Sequence, residues 1–257
     1  MELSKRLNAV AAMVTPGNVV CDVGCDHGYV SIFLAETGKS PKIYAMDVNK
    51  GPLERAAEHV KEAGLQDYIE LILSDGLINM PEGKADTLIC AGMGGKLVIK
   101  ILSESIEKVK KLKELVLQPQ SEIWLVREYL RTQGFVIVHE DMVVEDGKYY
   151  PILHVRVSKD GCGETEFIHD DKESTCCDKE GTCADGERAV FEKYGEILLK
   201  QKHPVLKEYL LWEKGLLEQI EAELEKSGGK SEKTKERFQS LSEEKEKLAS
   251  ALAYFKQ

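Results

Sequence analysis

The sequence predicts an α/β protein: a doubly wound sheet of seven strands with helices on both faces, followed by a helical hairpin. Three observations support this prediction. Up to about residue 158, short β-rich apolar runs alternate with amphipathic helical stretches, as in a parallel sheet between two helical layers. The last two strand candidates have no helix between them. From residue 189 onward, apolar residues recur at helical spacing.

Strands and helices of the first region follow a regular order. Seven apolar runs are strand candidates, at residues 18–23, 42–48, 68–73, 85–91, 114–118, 135–139 and 150–157. Helices are predicted between them at residues 29–36, 51–63, 96–108 and 122–132. The final two strands are separated by a turn that contains Asp146-Gly147, a hairpin signal. We therefore expect an antiparallel hairpin at the edge of an otherwise parallel sheet.

Two seams with alternating spacings of four and three residues occupy the C-terminal region, a pattern typical of coiled coils. They consist of Leu206, Leu210, Glu213, Leu217, Ile220 and Leu224, and of Phe238, Leu241, Lys245, Leu248, Leu252 and Phe255. A turn at residues 226–231 separates them, so we predict an antiparallel coiled-coil hairpin in which Glu213 and Lys245 face each other. The hairpin is either a structural appendage or an arm that grips a large substrate.

The negative charge of the chain is concentrated in one segment. The 257 residues carry a net charge of −10, and residues 159–188 hold 4 Lys and Arg against 10 Asp and Glu, a net charge of −6. The rest of the chain can therefore still present basic faces to phosphate groups. The acidic segment has no periodicity and is predicted to be a linker or insertion. This gives three regions, residues 1–158, 159–188 and 189–257.

Cysteine usage and the N-terminus indicate a reducing, cytoplasmic setting. Cys21, Cys25 and Cys90 lie in apolar strand-like runs, as expected of reduced thiols. Four further cysteines lie in the acidic segment: Cys162, Cys176, Cys177 and Cys183. Because they lack the paired spacing of zinc sites, an incidental cysteine-rich loop is favoured over a metal site. We find no targeting segment and no apolar run long enough to span a membrane.

A glycine-rich turn follows the first predicted strand. It reads Asp22-Val23-Gly24-Cys25-Asp26-His27-Gly28, with Asp26 where a central glycine is usual. Glycines at such a turn permit a sharp bend and let backbone N–H groups approach a nucleotide-like ligand. A purely structural turn is the alternative.

Acidic residues also end the next two strands. Asp47 lies 23 residues after Gly24, a spacing at which a carboxylate can accept hydrogen bonds from both ribose hydroxyls of an adenosine group. Asp75 follows the third strand, where a carboxylate can read an adenine amino group. These acids, the missing GxGxxG motif and the terminal strand hairpin favour S-adenosylmethionine over a nicotinamide cofactor. The sheet is therefore predicted to be that of a class I methyltransferase.

The fourth and fifth strands end in segments suited to an acceptor pocket. Ligands of doubly wound sheets lie beyond the carboxyl ends of the strands. The sequence there is Ala91-Gly92-Met93-Gly94-Gly95 and Gln118-Pro119. The glycines leave room for a planar base, Met93 can press on its face, and Gln118 offers a donor and an acceptor to a base edge. Alternatively, residues 92–95 form only a tight strand-to-helix turn.

Together these motifs resemble the TrmK-type bacterial tRNA methyltransferases. The matching segments are residues 3–7, 22–27, 91–95, 118–119, 145–150 and 194–199, so the resemblance covers nearly the whole chain except residues 159–188. Cys25 stands where the family is expected to have Ser. The resemblance implies a Rossmann-like S-adenosylmethionine-dependent domain and a C-terminal coiled-coil domain. It also implies methylation of N1 of adenosine 22 in the D-stem region of tRNA.

On this basis the candidate site residues fall into three groups. The cofactor group comprises Asp22, Gly24, Cys25, His27, Gly28, Asp47, Val48, Asn49, Asp75, Gly76, Ala91 and Gly92. The catalytic group comprises Asp26, Met93, Gly94, Gly95, Gln118 and Pro119. The candidate RNA contacts are Lys5, Arg6, Lys148 and Tyr150, and no metal is expected.

The expected chemistry is direct methyl transfer to adenine N1, for which the base must be unpaired or flipped. Because neutral adenine carries a lone pair on N1, no general base is expected. Asp26 is a candidate to stabilise the developing positive charge, or else a helix N-cap. The expected partner is tRNA, bound by a monomer with no membrane contact. Methylation of another RNA or a small molecule, and a catalytically silent RNA-binding protein of the same fold, are the competing interpretations.

Overall fold

The computed structural model of the protein describes residues 2–157, 185–226 and 232–256. The chain divides into two compact units, residues 1–164 and 165–257. Among the described residues, no helix combines the length and apolar character needed to cross a bilayer. Within the same residues, no group of three His, Cys, Asp or Glu side chains is arranged to hold a metal ion. The four cysteines of the acidic segment lie outside the described residues.

The first unit contains seven strands, which confirm all seven predicted ones. They are β1 (Val20–Val23), β2 (Ile43–Asp47), β3 (Ile69–Leu73), β4 (Thr87–Gly94), β5 (Glu114–Ser121), β6 (Val136–Glu145) and β7 (Lys148–Arg156). They form one sheet in the order β3-β2-β1-β4-β5-β7-β6. Strands β1 to β5 are parallel, and β7 is antiparallel to both neighbours. Asp146 and Gly147 have φ of 50° and 71°, the conformation that a two-residue hairpin turn requires.

Helices cover both faces of this sheet. They are α1 (Lys5–Met13), α2 (Tyr29–Glu36), α3 (Lys50–Glu62), α4 (Gly95–Glu104), α5 (Ile106–Val109) and α6 (Ile123–Thr132). One apolar layer lies between the sheet and α1, α2 and α3, and another packs against α4 and α6. The sequence prediction omitted α1, although Val10 and Val14 are spaced by one helical turn and buried. The predicted helix at residues 96–108 is divided at Ser105, whose φ of −125° and ψ of 30° are not helical.

A buried network of hydrogen bonds connects neighbouring strands near their amino ends. Glu114, at the start of β5, accepts hydrogen bonds from Thr87 Oγ1 at 2.7 Å and from His154 Nε2 at 2.9 Å. It also accepts from the backbone N–H of Thr15 at 2.9 Å. Burial opposes ionisation of Glu114, but these hydrogen bonds outweigh it and lower its pKa to about 2. The network therefore has a structural role, at the end of the sheet opposite the carboxyl ends.

The second unit is helical. Its helices are α7 (Asp185–Tyr194), α8 (Glu196–Lys200), α9 (Pro204–Lys226) and α10 (Glu232–Ala253). Helix α7 thus begins four residues before the predicted start of this region. Helices α9 and α10 pack against each other and bury Leu210, Leu217 and Leu248. A coiled-coil geometry stays a prediction, and the predicted turn lies, apart from Lys226, outside the described residues.

Glu213 and Lys245, which were expected to face each other, bind other partners. Glu213 is buried and accepts a hydrogen bond from the Tyr194 hydroxyl at 2.8 Å, and it pairs with Lys193 at 3.0 Å. Lys245 instead donates to Glu221 at 2.5 Å. Helix α7, which the seam pattern could not reveal, supplies these two partners of Glu213.

Candidate active site

The candidate site lies where the strand order of the sheet reverses. β1 has β2 on one side and β4 on the other. In doubly wound sheets, the crevice beyond the carboxyl ends at such a point binds ligands. The glycine-rich turn follows β1 here, and Met93 near the end of β4 packs against Gly24 of that turn. The structure thus brings the predicted cofactor turn and the predicted acceptor segment into contact at this edge of the sheet.

Backbone conformation fixes the turn after β1. Gly24 and Gly28 have φ of 70° and 76°, and the non-glycine Asp26 has φ of 50°. The N–H of Gly24 donates to the carbonyl of Met46 at 2.8 Å, which ties the turn to β2. Gly28 is the N-cap residue of α2, so the helix-cap interpretation of Asp26 is wrong. The Asp26 carboxylate is exposed and lies 3.6 Å from Nε2 of His27.

Asp22 lies near the end of β1 as a buried carboxylate. Its Oδ2 accepts a hydrogen bond from the Ser31 hydroxyl at 2.7 Å, which links β1 to α2. Burial raises the pKa of Asp22 to about 6, with a further increase from nearby Asp47 and a partial offset by the Ser31 hydrogen bond. Cys25 is also buried, and this burial raises the pKa of its thiol well above the usual range. Asp22 therefore changes its charge near pH 6, while Cys25 stays a neutral thiol.

Asp47 ends β2 in a position to accept hydrogen bonds from a ligand. Its Oδ1 accepts from the backbone N–H of Asn49 at 2.8 Å, which orients the carboxylate. Among the described residues no other hydrogen bond reaches this group, so Oδ2 remains an available acceptor. Val48 follows directly, and its 58% exposure leaves an apolar surface beside the carboxylate.

The loop after β3 brings Asp75 to the same edge of the sheet. Ser74 is buried, and its hydroxyl accepts from the N–H of Asn79 at 3.1 Å and donates to the carbonyl of Gly76 at 2.9 Å. Gly76 has φ of 54°. Asp75 itself is exposed, so its neighbours hold the loop while its carboxylate stays accessible.

The end of β4 departs from regular pairing. Its register with β5 shifts twice between Ala91 and Gly94, and Gly92 has φ of 82°. Gly95 then begins α4 directly against the end of β5. A Cβ on residue 95 would lie 2.5 Å from the carbonyl oxygen of Ser121. Residue 92 is thus required to be glycine because of its left-handed backbone conformation. Residue 95 is required to be glycine because the backbone of β5 approaches it closely.

Gln118 is fully buried behind the acceptor segment. Its Oε1 accepts hydrogen bonds from Arg6 Nη1 at 2.8 Å and from the N–H of Gly92 at 3.1 Å. Its Nε2 donates to the carbonyl of Pro119 at 3.4 Å, and Pro119 lies beside Met93 in the strand register. Both ends of the amide are engaged within the protein, so the expectation that Gln118 reads a base edge does not fit this geometry.

The four candidate RNA contacts belong to segments that meet. The Cζ atom of Arg6 stands 5.5 Å from the centroid of the Tyr150 ring. Lys5 is exposed, and its backbone N–H donates to Oε1 of Glu145 at 2.7 Å. Lys148 is exposed and lies opposite Glu145 in the β6–β7 register. The first turn of α1 and the β6–β7 hairpin therefore adjoin, although Lys5 and Glu145 are 140 residues apart.

Three rings beside the glycine-rich turn form a cluster that the sequence prediction missed. The ring centroids of His27, Tyr29 and His59 lie 5.5–5.9 Å apart. Nδ1 of His59 donates to the carbonyl of His27 at 3.0 Å. Close packing of Gly28 on Ala56 allows this approach, because a Cβ on residue 28 would already lie 3.3 Å from that of Ala56. The cluster joins two helices, so no single motif could have revealed it.

Comparison with known proteins identifies one family. Residues 3–153 match the family model described as a methyltransferase domain. The tRNA (adenine(22)-N(1))-methyltransferase of Bacillus subtilis (strain 168) is 34% identical over 153 residues. That alignment covers 60% of this chain and 64% of the Bacillus enzyme, slightly less than two thirds of its length.

Solved structures are similar over nearly the whole chain. A putative tRNA (m1A22) methyltransferase of Streptococcus pneumoniae, in complex with S-adenosyl-L-methionine, has a TM-score of 0.75 and 30% identity. The comparison covers 98% of this chain and 100% of that one. The M1A22 tRNA methyltransferase TrmK of Bacillus subtilis has a TM-score of 0.79 and 26% identity, with 98% and 99% of the two chains covered.

Proposed function

This chain belongs to the TrmK-type tRNA methyltransferases of the methyltransferase domain family, and on that premise we propose that it transfers a methyl group from S-adenosylmethionine to N1 of adenosine 22 in tRNA. The proposal rests chiefly on one arrangement: three acids and a glycine-rich segment lie at the same edge of the sheet, beyond the carboxyl ends of its parallel strands. Asp22 and Asp47 lie near the ends of β1 and β2, Asp75 follows β3 by two residues, and residues 91–94 end β4, which neighbours β1.

The residues at the crevice fit this cofactor. Gly24 lacks the Cβ that would overlap Met93, so the turn after β1 and the end of β4 can approach each other closely. Oδ2 of Asp47 would accept from a ribose hydroxyl, Asp75 from the adenine amino group, and Asp22 from the charged amino group. When bound, S-adenosylmethionine supplies a methyl group on a positively charged sulfur. The remaining proposed contacts are Cys25, His27, Gly28, Val48, Asn49, Gly76, Ala91 and Gly92.

The residues that would surround the methyl acceptor contribute the shape of the pocket and the alignment of the base. Met93 and Gly94 would pack against the adenine, with Gln118 and Pro119 behind them, whereas Gly95 is buried against the end of β5. Because N1 of neutral adenine already carries a lone pair, no residue has to remove a proton, and residues 91–95 and 118–119 contain no carboxylate, imidazole or amine. Holding the base in line contributes to the rate by pre-orientation. The exposed carboxylate of Asp26 would stabilise the positive charge that develops on the base.

The substrate must present an unpaired base. N1 lies on the Watson–Crick edge, so the target adenosine has to leave its pair or stack. Lys5, Arg6, Lys148 and Tyr150 would contact phosphates and bases around the opening. The helical hairpin of the second unit would provide an additional surface that binds tRNA.

Methyl transfer from tritiated S-adenosylmethionine into unmodified bacterial tRNA tests this proposal, with the labelled nucleoside identified by chromatography. The expected product is 1-methyladenosine. Label in another nucleoside, or transfer only to a small molecule, would show that the substrate assignment is wrong. The absence of heat in a titration with S-adenosylhomocysteine would instead indicate a silent RNA-binding protein.

A further inference from the structure

The first turn of α1 is fixed against the acceptor side of the sheet. The Ser4 hydroxyl caps the helix, and the backbone N–H of Lys5 donates to Glu145 at 2.7 Å. Arg6, the next residue, reaches Gln118 of β5 at 2.8 Å. These contacts give the Arg6 guanidinium a defined position.

Gln118 ties this guanidinium to the acceptor segment. A single buried oxygen, Oε1 of Gln118, accepts both from Arg6 and from the N–H of Gly92. The ring of Tyr150, on β7, lies 5.5 Å from the guanidinium carbon. Arg6 is therefore held from two strands, at a fixed place relative to residues 91–95.

The Arg6 guanidinium is half-buried but lacks a negative partner among the described residues. Its two neighbours, an amide oxygen and an aromatic ring, are both uncharged. Arg127, by contrast, pairs with Glu140 at 2.8 Å. An arginine has five N–H donors in a planar fork that suits an oxyanion, and only one of them is used by Gln118. The remaining donors and the unbalanced charge indicate an anion-binding position.

We propose that Arg6, positioned by Gln118 and Tyr150, binds the phosphate adjacent to the target adenosine and so fixes the flipped nucleotide in the acceptor pocket. This inference rests on the proposed function. A phosphate fits better than the base itself, because methylation at N1 leaves the base positively charged. A guanidinium bound to the base edge would oppose that charge, whereas one bound to phosphate gains a full ion pair.

Four variants test the role of Arg6, each assayed for tRNA binding at several salt concentrations. Arg6→Gln removes the charge, and Arg6→Lys retains it. Gln118→Glu keeps the size and both accepted hydrogen bonds and loses the one donated to Pro119, and it sets a carboxylate against the guanidinium. Lys110→Gln is the matched control, because Lys110 is an exposed cation that precedes β5 at the opposite end of the sheet. Melting temperature and S-adenosylhomocysteine affinity check that each variant is folded.

Arg6→Gln and Gln118→Glu are both expected to weaken tRNA binding about tenfold or more. Both should reduce the slope of log affinity against log salt by about one, the loss of one phosphate contact. Arg6→Lys should keep the slope, and Lys110→Gln should change neither quantity. If Arg6 were only structural, Gln118→Glu would hold it more firmly and leave tRNA affinity unchanged, which would overturn the inference. A wild-type protein that does not methylate tRNA would instead overturn the proposed function.

Discussion

The terminal methyl group of Met93 packs against Gly24, so the end of β4 touches the turn that follows β1. A Cβ on residue 24 would lie 3.8 Å from the Met93 sulfur and would overlap its methyl group. Gly24 also has φ of 70°, which disfavours any side chain. The acceptor segment and the cofactor turn are therefore in direct contact.

Gly24→Ala is expected to weaken S-adenosylhomocysteine binding about tenfold, because a left-handed non-glycine residue costs about 1–2 kcal/mol and the new methyl group displaces Met93. Adding Met93→Ala removes the overlap but keeps the backbone strain. The double variant should therefore recover only part of the loss in a calorimetric titration. Unchanged affinity in Gly24→Ala would contradict the requirement for glycine at this turn.

Asp47→Ala is expected to weaken S-adenosylhomocysteine binding by about 2–3 kcal/mol, since the charge-assisted hydrogen bond from a ribose hydroxyl to Oδ2 is lost. The melting temperature should change little, because the carboxylate has only the Asn49 N–H as a partner among the described residues. Asp67→Ala, an exposed acid that precedes β3, serves as the control. Wild-type affinity in Asp47→Ala would exclude the ribose assignment.

The raised pKa of Asp22 predicts that cofactor binding depends on pH. Burial raises its pKa from 3.8 to about 6 in the unliganded protein, so the carboxyl is protonated below that pH and cannot attract an ammonium group. The affinity for S-adenosylhomocysteine should rise between pH 5 and 7, by up to about tenfold per unit below pH 6, and then level off. Asp22→Asn should bind weakly with little pH dependence. Titrations that give the same affinity across this window for the wild type would rule out the role of Asp22.

Gly95→Ala is expected to lower both stability and methyl transfer. The new Cβ would lie 2.5 and 2.8 Å from the backbone carbonyl oxygens of Ser121 and Glu122, and backbone cannot yield as a flexible side chain can. Overpacking of this kind costs about 1–3 kcal/mol. Gly215→Ala, within α9 and with no atom near its Cβ, should be neutral or stabilising. Equal free energies of unfolding for the two variants would contradict the close-approach argument.

Local patterns were sufficient to predict the framework of the site. The bounds of α2 agree with the prediction at both ends, because Gly28 and the apolar run after it are adjacent signals. Asp22, Asp47 and Asp75 could likewise be assigned to strand ends from their place in the chain. Parallel topology then brings these ends to one edge, whatever the separation in sequence.

Side-chain partners could not be predicted in the same way. Gln118 was expected to face a base, but it bonds to Arg6, which lies 112 residues away. Glu213 was expected to meet Lys245, but it bonds to Tyr194 of a helix outside the seam. Such contacts depend on how helices and strands that are distant in sequence pack against each other. The spacing of residues within one helix or strand carries no information about that packing.

Methyl transfer to one defined tRNA position decides whether this chain is an adenosine-22 methyltransferase. Two unmodified transcripts of one bacterial tRNA, with adenosine or guanosine at position 22, are incubated with the protein and S-adenosylmethionine. Digested products are then analysed by mass spectrometry, and the site is located by primer extension. We expect 1-methyladenosine at position 22 in the adenosine transcript and no transfer to the guanosine transcript. Equal transfer to both transcripts, or a methyl group on another nucleotide, would contradict it.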